Sequence, residues 1–310
     1  MTPSVTIYEK RNSFHEMHRA KRDTTPEAQT KRALRILKSQ ARSLLTKPQE
    51  SVLNRVLEAL QSDSFNDGAT FSITPFVADE MYLISDDEIP YYLYHRFRYD
   101  QFPLRRELDD HPPYLQIEPS SICNYRCVFC YQTDASFSNN KSEHMGSMNI
   151  DLYRKIVDEA EGNIEFISLA SRGEPLVCKD FSRMIEYSIG KFLNLKVNTN
   201  ASLMSEAHCH ALLCGGAKTV VFSADAAEEP LYSQLRVNGN LDRVLRNIER
   251  FQKIRETQYS KTKIISRVSG VLVDEAQNIK AMQKLWGALV DQISFVKYNP
   301  WENVYNSSLS

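Results

Sequence analysis

Three cysteines fall within eight residues, Cys123-Asn124-Tyr125-Arg126-Cys127-Val128-Phe129-Cys130, a C-x3-C-x2-C pattern. Gaps of three and two let a looped backbone aim three thiolates at one centre, as iron-sulfur cubanes require of their ligands. Three ligands on a four-iron cube leave one iron open, where a small molecule can chelate and receive an electron. A structural zinc site is the plainer alternative. Closed zinc sites want four protein ligands, however, and the nearest histidines, His111 and His144, lie in unrelated loops. Cys178, Cys209 and Cys214 are scattered at non-ligand spacing, so no second cluster is expected. His208 and His210 flank Cys209, but positions two apart point away from each other on a helix, and no metal trio is expected there.

A loop can hold three thiolates together only if regular elements anchor its ends. Beyond Tyr114 the sequence alternates short strand-like runs with amphipathic helical patterns. The expected strands are Tyr114 to Glu118, Ile164 to Ala170, Leu195 to Thr199, Thr219 to Ser223, Ile264 to Val271 and Gln292 to Tyr298. Helices are expected over Ile150 to Glu161, Asp180 to Gly190, Ser205 to Leu213, Leu241 to Gln258 and Asp274 to Val290. A strand followed by a helix returns over the sheet by a crossover, so the strands run parallel and their carboxyl ends share one edge. Six such units predict an α/β fold, an incomplete (β/α)6 TIM-like barrel, with its active site in the loops after the strands.

The first 110 residues read differently. Lys10 to Lys47 holds eleven Lys and Arg against three acids, whereas Glu50 to Asp110 holds thirteen acids against five Lys and Arg. Thr25 and Pro26 open a basic amphipathic helix through Leu34, Leu37, Ala41, Leu44 and Leu45, which Pro48 is expected to end. Val52, Leu53, Val56, Leu57 and Leu60 mark a second, giving a helical hairpin. Gly68 begins a stretch without helical period, Glu88 to Phe102 is crowded with Tyr91, Tyr92, Tyr94, Phe97 and Tyr99, and Asp109 to Pro113 reads as a linker. The expected organisation is a mainly helical extension over 1–110, a catalytic core over 111–300 and a tail over 301–310.

Bulk properties narrow the classes further. A net charge of -1 over 310 residues sets up no long-range field that selects nucleic acid or an anionic membrane. No signal peptide or run of membrane-spanning length is present, and six cysteines in a chain this long are not a disulfide framework. A cytoplasmic enzyme is the expectation.

These motifs together resemble the radical S-adenosylmethionine (SAM) superfamily, over about residues 114 to 298. The likeness lies in the cysteine pattern with an aromatic, Phe129, before its last cysteine, and in an ordered set of later segments. Ser171-Arg172-Gly173-Glu174-Pro175 is similar to the motif that engages the SAM amino group, and Asn198-Thr199-Asn200 to the element that contacts ribose. Ser223-Ala224-Asp225, with Tyr232 and Arg236, resembles the segment that holds the SAM carboxylate, and Ser269-Gly270-Val271 the backbone that flanks adenine. The resemblance implies one 4Fe-4S cluster on Cys123, Cys127 and Cys130, and SAM as cofactor. It implies Phe129, Gly173, Glu174, Asn198, Asn200, Ser223, Asp225, Arg236 and Val271 as cofactor-binding residues. It also implies an external electron donor such as flavodoxin or ferredoxin, and hydrogen abstraction from a peptide, sugar or small metabolite. Arg236 suits the carboxylate because a guanidinium grips it through two parallel hydrogen bonds.

The 223 to 236 arrangement is most similar to the peptide- and protein-modifying branch, which carries a C-terminal cysteine-rich (SPASM-type) extension. This sequence ends at Ser310 without one and reads as a truncated or divergent member. Each residue also has a plainer reading: Arg236 as a solvated arginine, Glu174, Asn198 and Asn200 as turn formers, Phe129 as core. The rival functions are a zinc-binding nucleic-acid adaptor, or a radical SAM enzyme acting on RNA through the basic and Tyr-rich N-terminal segments. A solvated helix face and a packed interface are the expected use of those segments, with no nucleic-acid or membrane partner.

Overall fold

A computed structural model describes residues 16–19, 24–39, 46–62, 70–139, 144–273 and 275–298. Three N-terminal helices begin with one device, a threonine whose hydroxyl accepts the backbone N–H three residues on, within a first turn that carries a proline. Thr25 caps α1 (Pro26–Lys38) by accepting from Ala28 N, and Thr74 caps α3 (Pro75–Leu83) by accepting from Val77 N. Thr46 and Gln49 form a reciprocal capping box at α2 (Lys47–Gln61). Pro48 therefore opens the second helix and does not end the first, which stops at Lys38 with the Ser39 N–H bonded to the Arg35 and Ile36 carbonyls. Ala41, Leu44 and Leu45 lie outside the described residues.

The stretches expected to lack helix contain two. Beside α3, the Tyr-rich segment is a long helix, α4 (Ile89–Arg105), closed by Arg106 in a left-handed conformation. Its buried residues include Ile89, Tyr92, Leu93, His95, Phe97, Arg98 and Gln101, which spread around much of the helix and leave no single apolar stripe. Tyr92 and Phe97 are thus enclosed and offer no stacking platform for RNA bases.

The rest of the chain supplies the sheet. An unexpected strand, β1 (Glu16–Arg19), comes from the N-terminal segment. Then follow β2 (Tyr114–Ile117), β3 (Arg126–Cys127), α5 (Ala135–Ser138), α6 (Ile150–Ala160), β4 (Phe166–Leu169) and α7 (Phe181–Tyr187). Next come β5 (Asn194–Thr199), α8 (Glu206–Ala211), β6 (Thr219–Ser223), α9 (Leu231–Leu235) and β7 (Arg236–Val237). The chain continues with α10 (Leu241–Gln258), β8 (Ile265–Leu272), α11 (Ile279–Gly287) and β9 (Gln292–Lys297). Six strands run parallel in the order β2-β4-β5-β6-β8-β9, as expected, and β1 adds a seventh, antiparallel, against β9.

Alternation sorts the strand residues onto two faces. Ile167, Leu169, Leu195, Val197, Val220, Phe222, Val268 and Ile293 face the helices and form the main core. Alternate positions, among them Ser168, Lys196, Asn198, Thr219, Arg267, Gln292 and Ser294, turn to the inner face of the curved sheet. A second core joins α1 to α4 and takes in Phe166 at the amino end of β4. There the His95 ring stacks on Phe166 at 3.6 Å and 7°. Among the described residues no helix is long and apolar enough to cross a membrane.

Candidate active site

The loop that leaves β2 folds back on itself through its own polar groups. The Tyr125 N–H donates to Cys123 Sγ at 3.4 Å, Arg126 Nη1 donates to the Cys123 and Tyr125 carbonyls at 2.8 Å each, and Cys130 N donates to the Cys127 carbonyl at 3.0 Å. The short β3–β7 ladder then sets Cys127 opposite Arg236, and Val128 N donates to the Leu235 carbonyl at 3.0 Å.

All three thiols are partly buried. Burial pushes the Cys123 pKa up and that of Cys127 up to about 12, the Arg236 guanidinium pulling against it while the two neighbouring cysteines add to the rise. Mutual influence of this kind requires the sulfurs to share one locality. It also means that thiolates form here when a cation compensates their charge. Among the described residues no three His, Cys, Asp or Glu side chains are grouped to hold a single ion; thiolates on a cubane each bind a different iron.

Two chains of buried contacts run from this loop. In the first, Arg236 Nη1 lies 3.9 Å from Cys127 Sγ, and Arg236 Nε lies 2.6 Å from Asp225 Oδ2. The second contact is charge against charge, its N–H out of line for a hydrogen bond. The other Asp225 oxygen accepts from Val271 N at 2.7 Å. Asp225 is fully buried and Arg236 nearly so, and the carboxylate raises the arginine's pKa against the penalty of burial. Phe129 joins this group, 6.0 Å from the Arg236 guanidinium and edge-on to Tyr298 at 6.5 Å.

The second chain ties together the loops after β4 and β5. Buried Glu174 accepts from Leu176 N at 3.1 Å, Thr199 Oγ1 at 2.5 Å and Asn200 N at 2.7 Å. Burial raises its pKa and these donors oppose the rise. Asn200 Nδ2 then donates to Asn124 Oδ1 at 3.0 Å, inside the cysteine motif. Gly173 packs so closely that an added Cβ would stand 1.9 Å from the Ser120 carbonyl oxygen. Contact of this kind admits only glycine.

The expected site residues therefore divide. Cys123, Cys127, Cys130, Phe129, Gly173, Glu174, Asn200, Asp225, Arg236 and Val271 are joined by the contacts above. Asn198 and Ser223 stand apart from both chains, at the carboxyl ends of β5 and β6 on the inner face. Glu174 and Arg236, expected to meet the two ends of an amino acid, spend their charges on neighbouring loops and on Asp225. These contacts tie the loops at the rim of the site to one another. The three remaining cysteines do not join the site: Cys178 and Cys209 are buried and Cys214 is exposed. His208 caps α8, and His210 Nδ1 lies 3.0 Å from Tyr259 Oη.

Sequence reasoning missed the braces. Asn124 Nδ2 donates to Ser202 Oγ at 2.8 Å while its oxygen receives Asn200. Glu118 takes Arg172 through its backbone N at 2.9 Å and its guanidinium at 3.1 and 3.3 Å. Gln132 Nε2 donates to the Ser121 and Arg172 carbonyls at 2.7 and 2.9 Å. Only their closeness to the motif, in sequence, was a signal.

The donor set fits a cluster and a polar nucleotide. Three thiols share one locality, Gly173 packs the loop after β4 tightly against the start of the cysteine loop, and Asn198 Oδ1 is buried without a partner.

Comparison with known proteins agrees. The family model described as "Radical SAM superfamily" matches residues 117–265. The GTP 3',8-cyclase of Clostridium botulinum (strain Okra / Type B1) is 26% identical over 202 residues, 63% of this chain and 60% of that protein. The mycofactocin maturase MftC of Mycolicibacterium smegmatis is 24% identical over 179 residues, 58% of this chain and 43% of that protein. The chain thus spans about half the length of these two curated relatives. SuiB of Streptococcus suis, solved bound to S-adenosylmethionine, aligns with a TM-score of 0.50 at 18% identity, over 82% of this chain and 57% of that one. SuiB bound to its precursor peptide SuiA aligns with the same score at 17% identity, over 81% and 51%. Fold, motif and family match converge on one statement: residues 117–265 of this chain are a radical SAM domain, set in the α/β fold of an enzyme.

Proposed function

We propose that Cys123, Cys127 and Cys130 hold one 4Fe-4S cluster, and that SAM binds beside it along the carboxyl edge of the sheet. Held by Cys123, Cys127 and Cys130, such a cluster would supply the electron for reductive cleavage of the SAM sulfonium and so the radical chemistry that takes hydrogen from a substrate. The chain's own work is to bind, orient and exclude water. Gly173 gives the close backbone approach, Asn198 brings an unpartnered amide oxygen, and Ser223 and Val271 flank the same edge. Glu174, Asn200, Asp225 and Arg236 fix the loops that carry them, and Phe129 covers the last cysteine. Arg236 places a permanent positive charge beside Cys127 and favours its thiolate.

The observation that carries this reading is the contact chain Cys127–Arg236–Asp225–Val271, which couples the cysteine loop to three later strand ends. The substrate is proposed to be a peptide, sugar or small metabolite, in keeping with the peptide-modifying branch that the 223 to 236 segment resembles. A flavodoxin or ferredoxin is the proposed donor. Anaerobic reconstitution tests the reading: about four irons per chain and dithionite-dependent formation of 5'-deoxyadenosine are expected. A colourless protein with a single zinc would overturn it and favour the adaptor alternative.

A further inference from the structure

The two faces of the sheet solve opposite problems. Its helix-facing side is apolar and filled, whereas its inner side carries buried polar atoms with no partner: Ser168 Oγ, Asn194 Oδ1, Asn198 Oδ1, Thr219 Oγ1, Gln292 Nε2 and Ser294 Oγ. All six sit on one face, since Ser168 pairs with Lys196, Lys196 with Thr219, Asn198 with Val221, and Arg267 with both Val221 and Gln292. Unpaired buried polar groups are costly, and a folded chain keeps them where water or a ligand completes them.

Charge on the same face is one-sided. Among the positions of strands β2 to β9 it carries two cations, Lys196 and Arg267, and no acid. Arg267 is almost fully buried, donates through Nε and Nη2 to Gln292 Oε1 at 2.9 and 2.7 Å, and lies 5.0 Å from the Phe76 ring centre. Lys196 differs. It is only partly buried, its ammonium stands 5.4 Å from the Tyr114 ring centre, and it makes no ion pair among the described residues. Tyr114 lies on β2 level with Phe166, so the Lys196 side chain leans across β4 on the inner face, away from the carboxyl edge. Lys196 lies two residues below Asn198, about 7 Å deeper than the edge where the cysteine loop emerges.

We propose that Lys196 is a specificity-determining residue, and that the substrate carries an anionic group, a carboxylate or a phosphate, which this ammonium receives on the floor of the sheet. The inference rests on the proposed function only in taking the inner face of the sheet as the substrate's place. Water satisfies stray hydroxyls, but an ammonium beside unpartnered polar groups, with no ion pair among the described residues, attracts an anion. The unpartnered Ser168 and Thr219 hydroxyls, directly across from Lys196 in the ladder, can donate to that anion. The cation lies deeper than the cysteine-bearing edge, so it grips the far end of a molecule whose reacting C–H sits near that edge.

The test uses cluster-loaded protein saturated with SAM, so that the methionine carboxylate's own site is filled. Inorganic pyrophosphate and succinate serve as phosphate and carboxylate probes, titrated calorimetrically against wild type, Lys196→Met, Lys196→Arg and, as a control at the opposite edge, Lys218→Met. Wild type and K218M should bind at least one probe saturably, K196M at least tenfold more weakly, with K196R restoring most of the affinity. The preferred probe identifies the anion. Equal binding by K196M, or no saturable binding of either probe by wild type, overturns the proposal. Wild-type protein that binds a probe but does not cleave SAM counts against the proposed function and leaves Lys196 standing.

Discussion

The two edges of the parallel sheet are built on different physics. At the carboxyl edge, loops from separate strands are tied by single directional hydrogen bonds, Glu174 to Thr199 and Asn200, Asp225 to Val271, Asn124 to Asn200 and Ser202, beside the Asp225–Arg236 ion pair. At the amino edge the helical bundle seats on ring faces, His95 at 3.6 Å and Tyr92 at 5.9 Å from Phe166, with Arg98 bridging Asp109 and Glu165. Directional contacts set positions, and a fully satisfied polar network rigidifies what it joins. Burial of rings is non-directional and sets free energy. One edge should therefore govern chemistry and the other persistence of the fold.

The largest effect that would sharpen this contrast is Cys127→Ala. We expect loss of the cluster's visible absorbance and of all reductive SAM cleavage, while the urea midpoint of the metal-free protein changes little; cleavage surviving in the variant breaks the assignment of the carboxyl edge. Next comes Phe166→Ala at the other edge. It should cost about 3–5 kcal/mol of stability by denaturant unfolding, with the Kd for SAM unchanged in the folded fraction, and a weakened Kd at full stability would reverse the comparison. Gly173→Ala returns to the first edge, where the new methyl meets the Ser120 carbonyl and the loop must shift. SAM affinity should fall about a hundredfold, some 2.7 kcal/mol, and near-normal affinity would mean that the cradle does not touch the cofactor.

The smallest effect is a slope. Burial holds the His95 pKa near about 3, far below its ordinary value of 6.5. Between those values the unfolded chain binds the extra proton, so stability is present above pH 6.5 and is lost as pH falls toward 3. His95→Gln should flatten the wild-type curve in that window by up to about 1.4 kcal/mol per pH unit. Equal slopes in variant and wild type would show that the ring titrates freely and that the amino edge is looser than its stacking implies. Glu165, raised to about 7 mainly by burial with the Arg98 charge opposing, titrates in both proteins and cancels in the difference.

Much of this was legible from residue order because it is local. Thr219–Ser223 and Leu241–Gln258 appear with their expected bounds, since a short apolar run and an amphipathic 3.6 period are written within one segment. The cysteine loop was equally plain, three cysteines being contained in eight residues of chain. What escaped is non-local or lacks a stripe. β1 is four residues, Glu-Met-His-Arg, with no alternation, and exists because β9 offers it a partner. α4 hid its period by burying residues on several sides. α3 was readable, for Thr74 and Pro75 repeat the Thr25 and Pro26 signal. Glu174 and Arg236 were found as residues but not in their actual partnerships, which join positions tens of residues apart.

The pairing of Glu16 with Phe295 stitches the earliest described strand to the latest. A ribosome delivers β1 well before β9, so that margin of the sheet stays open until β9 emerges. Premature termination before Gln292 would strip two strands at once and bare the β8 backbone to other chains.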